Sequence, residues 1–220
     1  MTILPDKFRT PTEAYGHLER DISVRKQELI NLGAAVGSPK SPPVVRRSAV
    51  VMAYSHLEGG IKAGLGSLFA FINSQGLTWG SIYIELSYFE IDRRLAMVSL
   101  ASNRRPVLCA DEITKFFAEI QSRKAIFDVA GFLRGLGTIN AEAIKCILLL
   151  CRIDRRAYES DLSYLNTGLV AVRHELAHGG LRPVDELTAA TALDTVHRIL
   201  DRFLSDFGYL MVSGSFRVDR

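Results

Sequence analysis

Apolar side chains along this chain recur mainly at helical spacing. Tyr15, Leu18, Ile22, Leu29 and Leu32 fall on one face of a segment that runs to Gly33, the stripe an amphipathic helix buries. Its start is marked by Thr10-Pro11-Thr12-Glu13, with Thr10 as cap, Pro11 in the first helical position and Glu13 reaching back. Gly37 to Pro43, containing Pro39, Pro42 and Pro43, predicts a turn. A longer helix follows from about Val44 to Asn73. Its only interruptions are Gly59, Gly60, Gly64 and Gly66, which weaken a helix unless another backbone packs closely there.

Two further helices are predicted over about Glu85 to Ala101 and Asp111 to Arg123, the second capped by Asp111. Lys124 to Thr138, with three glycines, carries no clear period. Asn140 caps a buried helix through Cys151, and Arg152 to Ser160 reads as a polar connection. The next helix starts near Ser160 or Asp161 and shows Leu162, Leu165, Leu169, Val172 and Leu176 at helical spacing until Gly179-Gly180 stops it. The last opens at Pro183 to Asp185 and turns Leu187, Ala190, Leu193, Leu200, Phe203 and Leu204 inward. Tyr209 to Val218 reads as a short strand or an ordered tail. With no alternating βαβ pattern and no internal repeat, the expected fold is all-α, an antiparallel helical bundle with extra helices and a short C-terminal tail.

Composition narrows the class. Hydrophobic residues make up 48% and charged residues 23% of 220, an ordinary globular balance, and no Gly/Ser or Pro-rich linker divides the chain, so residues 1–220 read as one domain. The longest apolar run, Cys146 to Cys151 between Lys145 and Arg152, is too short to span a bilayer. Met1 to Thr10 carry Asp6, Lys7 and Arg9 without an apolar stretch behind them, which predicts no secretory signal. The three cysteines, Cys109, Cys146 and Cys151, lack CxxC spacing and read as reduced thiols. The expected compartment is the cytoplasm, with no membrane partner.

A net charge of +3 does not by itself declare a nucleic-acid partner. Basic residues do recur in pairs: Arg46-Arg47, Arg93-Arg94, Arg104-Arg105, Arg123-Lys124 and Arg155-Arg156. Each pair alone reads as a solvated helix end, and only convergence in space changes that.

Chemistry concentrates in Val172-Arg173-His174-Glu175-Leu176-Ala177-His178-Gly179. One reading is structural, a polar patch where cations suit the carboxyl end of a helix. A second takes His174 to His178 as the HExxH of a zinc metalloprotease, since residues four apart share a helical face and Glu175 could activate a metal-bound water. That reading lacks an evident third ligand. The only downstream Glu is Glu186, with Asp194 and His197 as substitutes, the helix breaks at Gly179-Gly180, and Leu181 stands where the longer motif has Gly.

The third reading takes Arg173 and His178, four residues between them, as an Arg-x(4 to 6)-His motif. Upstream stands Tyr54-Ser55-His56-Leu57-Glu58-Gly59-Gly60-Ile61-Lys62, and the downstream block runs Arg173-His174-x-x-Ala177-His178-Gly179 before a final amphipathic helix. In these blocks and their order the chain resembles the RiboL-PSP-type branch of the HEPN superfamily, helical domains that are often metal-independent endoribonucleases. Ser55 and Gly60 depart from the larger residues expected there. The resemblance implies RNA as partner, no cofactor or metal, a homodimer, and a toxin-like or antiviral role in which a cognate antitoxin or regulatory protein is possible.

It also implies roles. RNA carries its own nucleophile, and an imidazole titrates near neutrality, so His178 is the expected general acid/base. Arg173, a planar and permanently charged fork, is the expected phosphate clamp, and His174 a second proton carrier or phosphate-orienting group. Glu58 and Lys62, four apart on a helix, read either as an exposed ion pair or, in the case of Glu58, as a carboxylate orienting Arg173 or His178. Tyr54 and His56 are expected on the same wall. On a regular helix five residues turn about 500°, leaving Arg173 and His178 roughly 140° apart with a rise of ~7.5 Å. Either the last turn loosens toward Gly179-Gly180, or two copies of the motif face each other and share a cleft. The rival readings are a non-catalytic RNA- or protein-binding HEPN module and, third, the zinc metalloprotease.

Overall fold

The computed structural model describes residues 8–88, 115 and 119–218. Most of the helices expected at about Glu85 to Ala101 and Asp111 to Arg123 lies outside the described residues, as do Arg93-Arg94, Arg104-Arg105 and Cys109. Residues 84–88 are helical, and Ile120–Ser122 form a 3-10 turn where the second of those helices was expected to continue.

Helix α1 spans Pro11–Val36. Its start is the expected cap: Thr10 Oγ1 accepts from the Glu13 amide at 3.2 Å, and Glu13 reaches back to accept from the Arg9 amide at 2.7 Å. It continues past Gly33 because Val36 is buried, and Gly37 closes it. Helix α2 spans Pro43–Ser74 and is buried along most of its length from Ala49 onward. Its glycines admit side chains where close backbones were expected. A Cβ on Gly60 would meet Leu200 at 2.4 Å, one on Gly64 would meet Phe203 at 2.2 Å, and one on Gly59 would meet the Arg25 guanidinium at 2.2 Å.

The last long helix buries Ala189, Leu193, Val196, Leu200, Phe203 and Phe207. It runs Glu186–Ser213, with Asp185 accepting from the Thr188 amide at 2.7 Å, and is α7 in the numbering used below. Leu187, expected inward, is exposed, because two residues before Ala189 the helix has turned to solvent. Tyr209 to Ser213 are helical, correcting the strand or tail expected from Tyr209: Leu210 and Met211 continue the buried stripe, and Gly214 (φ 67°) ends it. The tail begins there, and Phe216 and Val218 hydrogen-bond to Tyr83 and Ser81.

Cross-helix contacts fix directions. Arg25 lies on Gly59 and His17 on Ser67, Lys26 pairs with Asp201 and Tyr15 packs on Gly208, so α1 runs antiparallel to both α2 and α7. Gly60 on Leu200 and Gly64 on Phe203 make α2 and α7 run the same way. These three helices enclose the core.

A second group of short helices leans on them: α3 (Val129–Gly135), α4 (Ala141–Leu150, capped by Asn140 as expected) and α5 (Glu159–Tyr164). Arg155–Tyr158, expected as polar connection, is a 3-10 turn that buries Tyr158. The helix then passes through a π turn, Leu165–Val170, into α6, Ala171–Ala177. Buried Asp161 pairs with Arg198 at 2.7 Å and with Arg202, and the Tyr158 hydroxyl donates to Asp206 at 2.7 Å, tying this strut to α7. Among the described residues the only β pairing is two isolated bridges, Thr78 with Lys124 and Ile82 with Arg217, and no helix is long and apolar enough to cross a membrane.

Candidate active site

The π turn immediately before α6 holds one residue more than an α turn would, which shifts the phase of everything after it. Gly168 leaves space for the Tyr164 ring, which a Cβ would meet at 2.1 Å. Asn166 Oδ1 accepts from the Ala141 amide at 2.9 Å, joining the π turn to the start of α4. Beyond it, Val172 is buried and Arg173 half-buried, while His174 and His178 are exposed.

Helix α6 ends in a Schellman turn. The Gly180 amide donates to Glu175 O at 3.0 Å and the Gly179 amide to Leu176 O at 3.2 Å, with Gly179 left-handed at φ 82°. His178 is the C-cap residue at φ −93°, ψ 18°, so the last turn loosens there. Its ring comes back against His174, with centroids 4.4 Å apart and planes at 59°. The two imidazoles share one exposed helix end.

Arg173 points to α2. Its guanidinium carbon sits 4.5 Å from the centroid of the Tyr54 ring, a cation–π seat. Tyr54 is buried, and its hydroxyl accepts from the Ile139 amide at 3.0 Å. Burial pushes the Tyr54 phenol above its ordinary value, the negative charge of Glu58 adding to the rise and the Ile139 amide and Arg173 opposing it. A closed ring results. Arg173 rests on Tyr54, Tyr54 holds Ile139, and two residues on, Ala141 is held by Asn166, seven residues before Arg173 on the same continuous helix.

Glu58 pairs with Lys62 at 2.5 Å, both half-buried, and reaches Arg173 only by way of Tyr54. His56 lies away from this wall, because two residues along a helix turn the side chain about 200°. It is buried against α1, with Nε2 3.3 Å from Glu28 but unaligned for a hydrogen bond, and burial lowers its pKa. The zinc reading gains no third ligand: among the described residues no group of three His, Cys, Asp or Glu is placed to hold a metal, and Glu175 pairs with Arg182 at 3.3 Å.

Beside the Schellman turn, Val44, Val51 and Met52 of α2 and Leu176 and Leu181 line an open depression of about 380 Å³ with Arg47 at its rim. Leu181 is 83% exposed. Asn166, Gly168 and Ile139 escaped the sequence reading. A backbone amide leaves no mark in a sequence, and a π turn is not announced by apolar spacing.

The chain is an all-helical bundle whose Arg173 and His178 lie on and just beyond one short helix, the arrangement the HEPN resemblance implied. The RiboL-PSP-HEPN family model matches residues 20–207, and the chain belongs to that family. Comparisons with curated proteins and with solved structures returned no match.

Proposed function

We propose that the protein is a metal-independent endoribonuclease whose Arg173 clamps the scissile phosphate and whose His178 moves the proton. The observation that carries this reading is one short helix, α6, that carries a guanidinium on an aromatic seat and ends in two exposed imidazoles 4.4 Å apart. One imidazole takes the proton from a ribose 2′-OH as O2′ bonds to phosphorus. The P–O5′ bond breaks, and a protonated imidazole donates to the departing O5′. The products are a 2′,3′-cyclic phosphate and a 5′-hydroxyl. Arg173 neutralises the charge that develops on the phosphorane oxygens, and His174 is the natural second proton carrier. Glu58, Lys62 and Tyr54 form the support beneath.

The apolar depression beside the turn, with Leu181 exposed, supports a homodimer in which two such ends face each other and share a cleft. A toxin-like or antiviral role, restrained by an antitoxin or regulatory protein, follows from the family resemblance and is part of the proposal. The rival is a HEPN module that binds RNA without cutting it.

RNA incubated with the protein in excess EDTA should yield fragments ending in cyclic phosphate. Arg173→Ala should reduce kcat about 10²–10³-fold and His178→Ala about 10²–10⁴-fold, and both should relieve growth arrest on expression while circular dichroism stays unchanged. Cleavage that disappears with EDTA and returns with zinc refutes this mechanism. RNA binding without cleavage, unaltered by His178→Ala, selects the passive module.

A further inference from the structure

A second concavity, of about 470 Å³, opens between α4 and α5 and is lined by Lys145, Arg155, Glu159, Ser163, Asn166 and Thr167, among others. We propose that it binds the sugar-phosphate backbone of single-stranded RNA several nucleotides from the bond that is cut. This rests on the ribonuclease reading and adds to it an extended, unpaired substrate strand.

Alignment is the first argument. Ser163 and Thr167 lie on the strut that continues into α6, and their side chains are exposed. The step from Thr167 to His178 is eleven residues, close to three helical turns and roughly 16 Å of rise. The groove floor and the two imidazoles therefore lie along one side of the strut, joined by exposed Ala171, a side chain too small to obstruct a strand.

Chemistry is the second. Arg155 is exposed and has no ion-pair partner among the described residues, and Lys145 holds only the exposed Glu142 at 2.7 Å. Such a pair is worth a few tenths of a kcal/mol, so a phosphate competes for Lys145 at little loss. Ser163 and Thr167 offer hydroxyl donors to phosphate or 2′-OH. Glu159, the one carboxylate on the lining named above, is suited to accept from an exocyclic amino group of a base. Two cations and two hydroxyls beside one carboxylate make a mixed polar track, the character expected of a site that grips the backbone and touches bases only lightly.

The test uses the full chain with His178→Ala, so that RNA survives, and a fluorescein-labelled mixed-sequence RNA of ten nucleotides read by anisotropy. Lys145→Ala with Arg155→Ala removes two phosphate contacts. At about 0.7 per contact for single strands, the slope of log K against log salt should fall by about 1.4, and affinity at 0.1 M salt by about 25-fold. Ser163→Glu, which touches no buried group, should weaken binding in the same direction. A charge-matched control, Arg123→Ala with Lys124→Ala, lies at the far end of α2 beside Thr78 and should stay within twofold.

With His178 restored, the loss should fall on KM for the same RNA. If the protein cleaves RNA but the groove variants and the control bind alike, the groove proposal fails and the ribonuclease reading stands. If it binds RNA through the groove and never cleaves, the groove stands and the nuclease reading fails. Absence of binding by the parent overturns the groove outright.

Discussion

Tyr54 offers the sharpest separation of structure from chemistry, because its hydroxyl and its ring do different things. The hydroxyl, sealed from water, is the acceptor of the Ile139 amide at 3.0 Å. Tyr54→Phe leaves that amide buried and unpaired, which costs about 1–3 kcal/mol. At about 2–4 °C per kcal/mol for a chain of this size, the Tm should fall by roughly 2–12 °C, with an unchanged m-value in urea. The ring remains, so Arg173 keeps its seat.

Tyr54→Leu removes the seat as well. A cation–π contact worth about 0.5–2 kcal/mol corresponds to a further fall in kcat of about 2- to 30-fold, beyond that of the Phe variant. The decisive measurement is the double-mutant cycle with Arg173→Ala. If the ring acts through the guanidinium, Tyr54→Leu adds almost nothing to kcat once Arg173 is gone. Losses that multiply would refute the reasoning, since the ring would then be acting on the site by some route other than Arg173.

Gly64→Ala drives a methyl into Phe203, 2.2 Å from the nearest ring carbon, and should lower unfolding free energy by about 1–3 kcal/mol in chemical denaturation. His56 and His17 both have pKa values lowered by burial, with Glu28 and Asp21 opposing this at His56 and Asp21 opposing it at His17. The unfolded chain therefore takes up protons first as pH falls below the ordinary value of 6.5, and stability declines from there until the lowered folded pKa is passed. Thermal melts between pH 7 and 5 should show this decline, and His56→Leu should flatten it.

The helices that carry the core were legible because their signals are local. Thr10 and Glu13 announce a cap, Asn140 does the same, and the stripe from Leu193 to Phe203 has only one side to bury. Where the outcome was decided by tertiary contact, the pattern misled. Leu187 is apolar but sits on the solvent side of its helix, and Tyr209 to Ser213 stay helical because Leu210 and Met211 find a core to enter. The candidate site was legible as residue types and not as geometry. Tyr54 and His56 look like neighbours in sequence, yet one supports Arg173 and the other packs on α1. The phase of Arg173 depends on a π turn that Gly168 and Asn166 permit, and no spacing of leucines encodes it.

The turn that ends α6 hangs on Gly179, and its part in placing His178 can be tested. His174 and His178, four residues apart, share one face of the helix end, and the C-cap at His178 followed by left-handed Gly179 (φ 82°) sets the tilt at which the second ring meets the first. Nothing stands within 4 Å of where a Cβ on Gly179 would lie, so substitution there meets no clash and its cost is conformational alone. Gly179→Ala should destabilise by about 1–2 kcal/mol and, by reshaping the cap at His178, change the tilt between the two imidazoles and lower kcat with KM little altered. Gly179→Asn, whose side chain tolerates the left-handed region, should recover most of both losses. If Asn restores stability but not kcat, the turn's shape is not what aims His178.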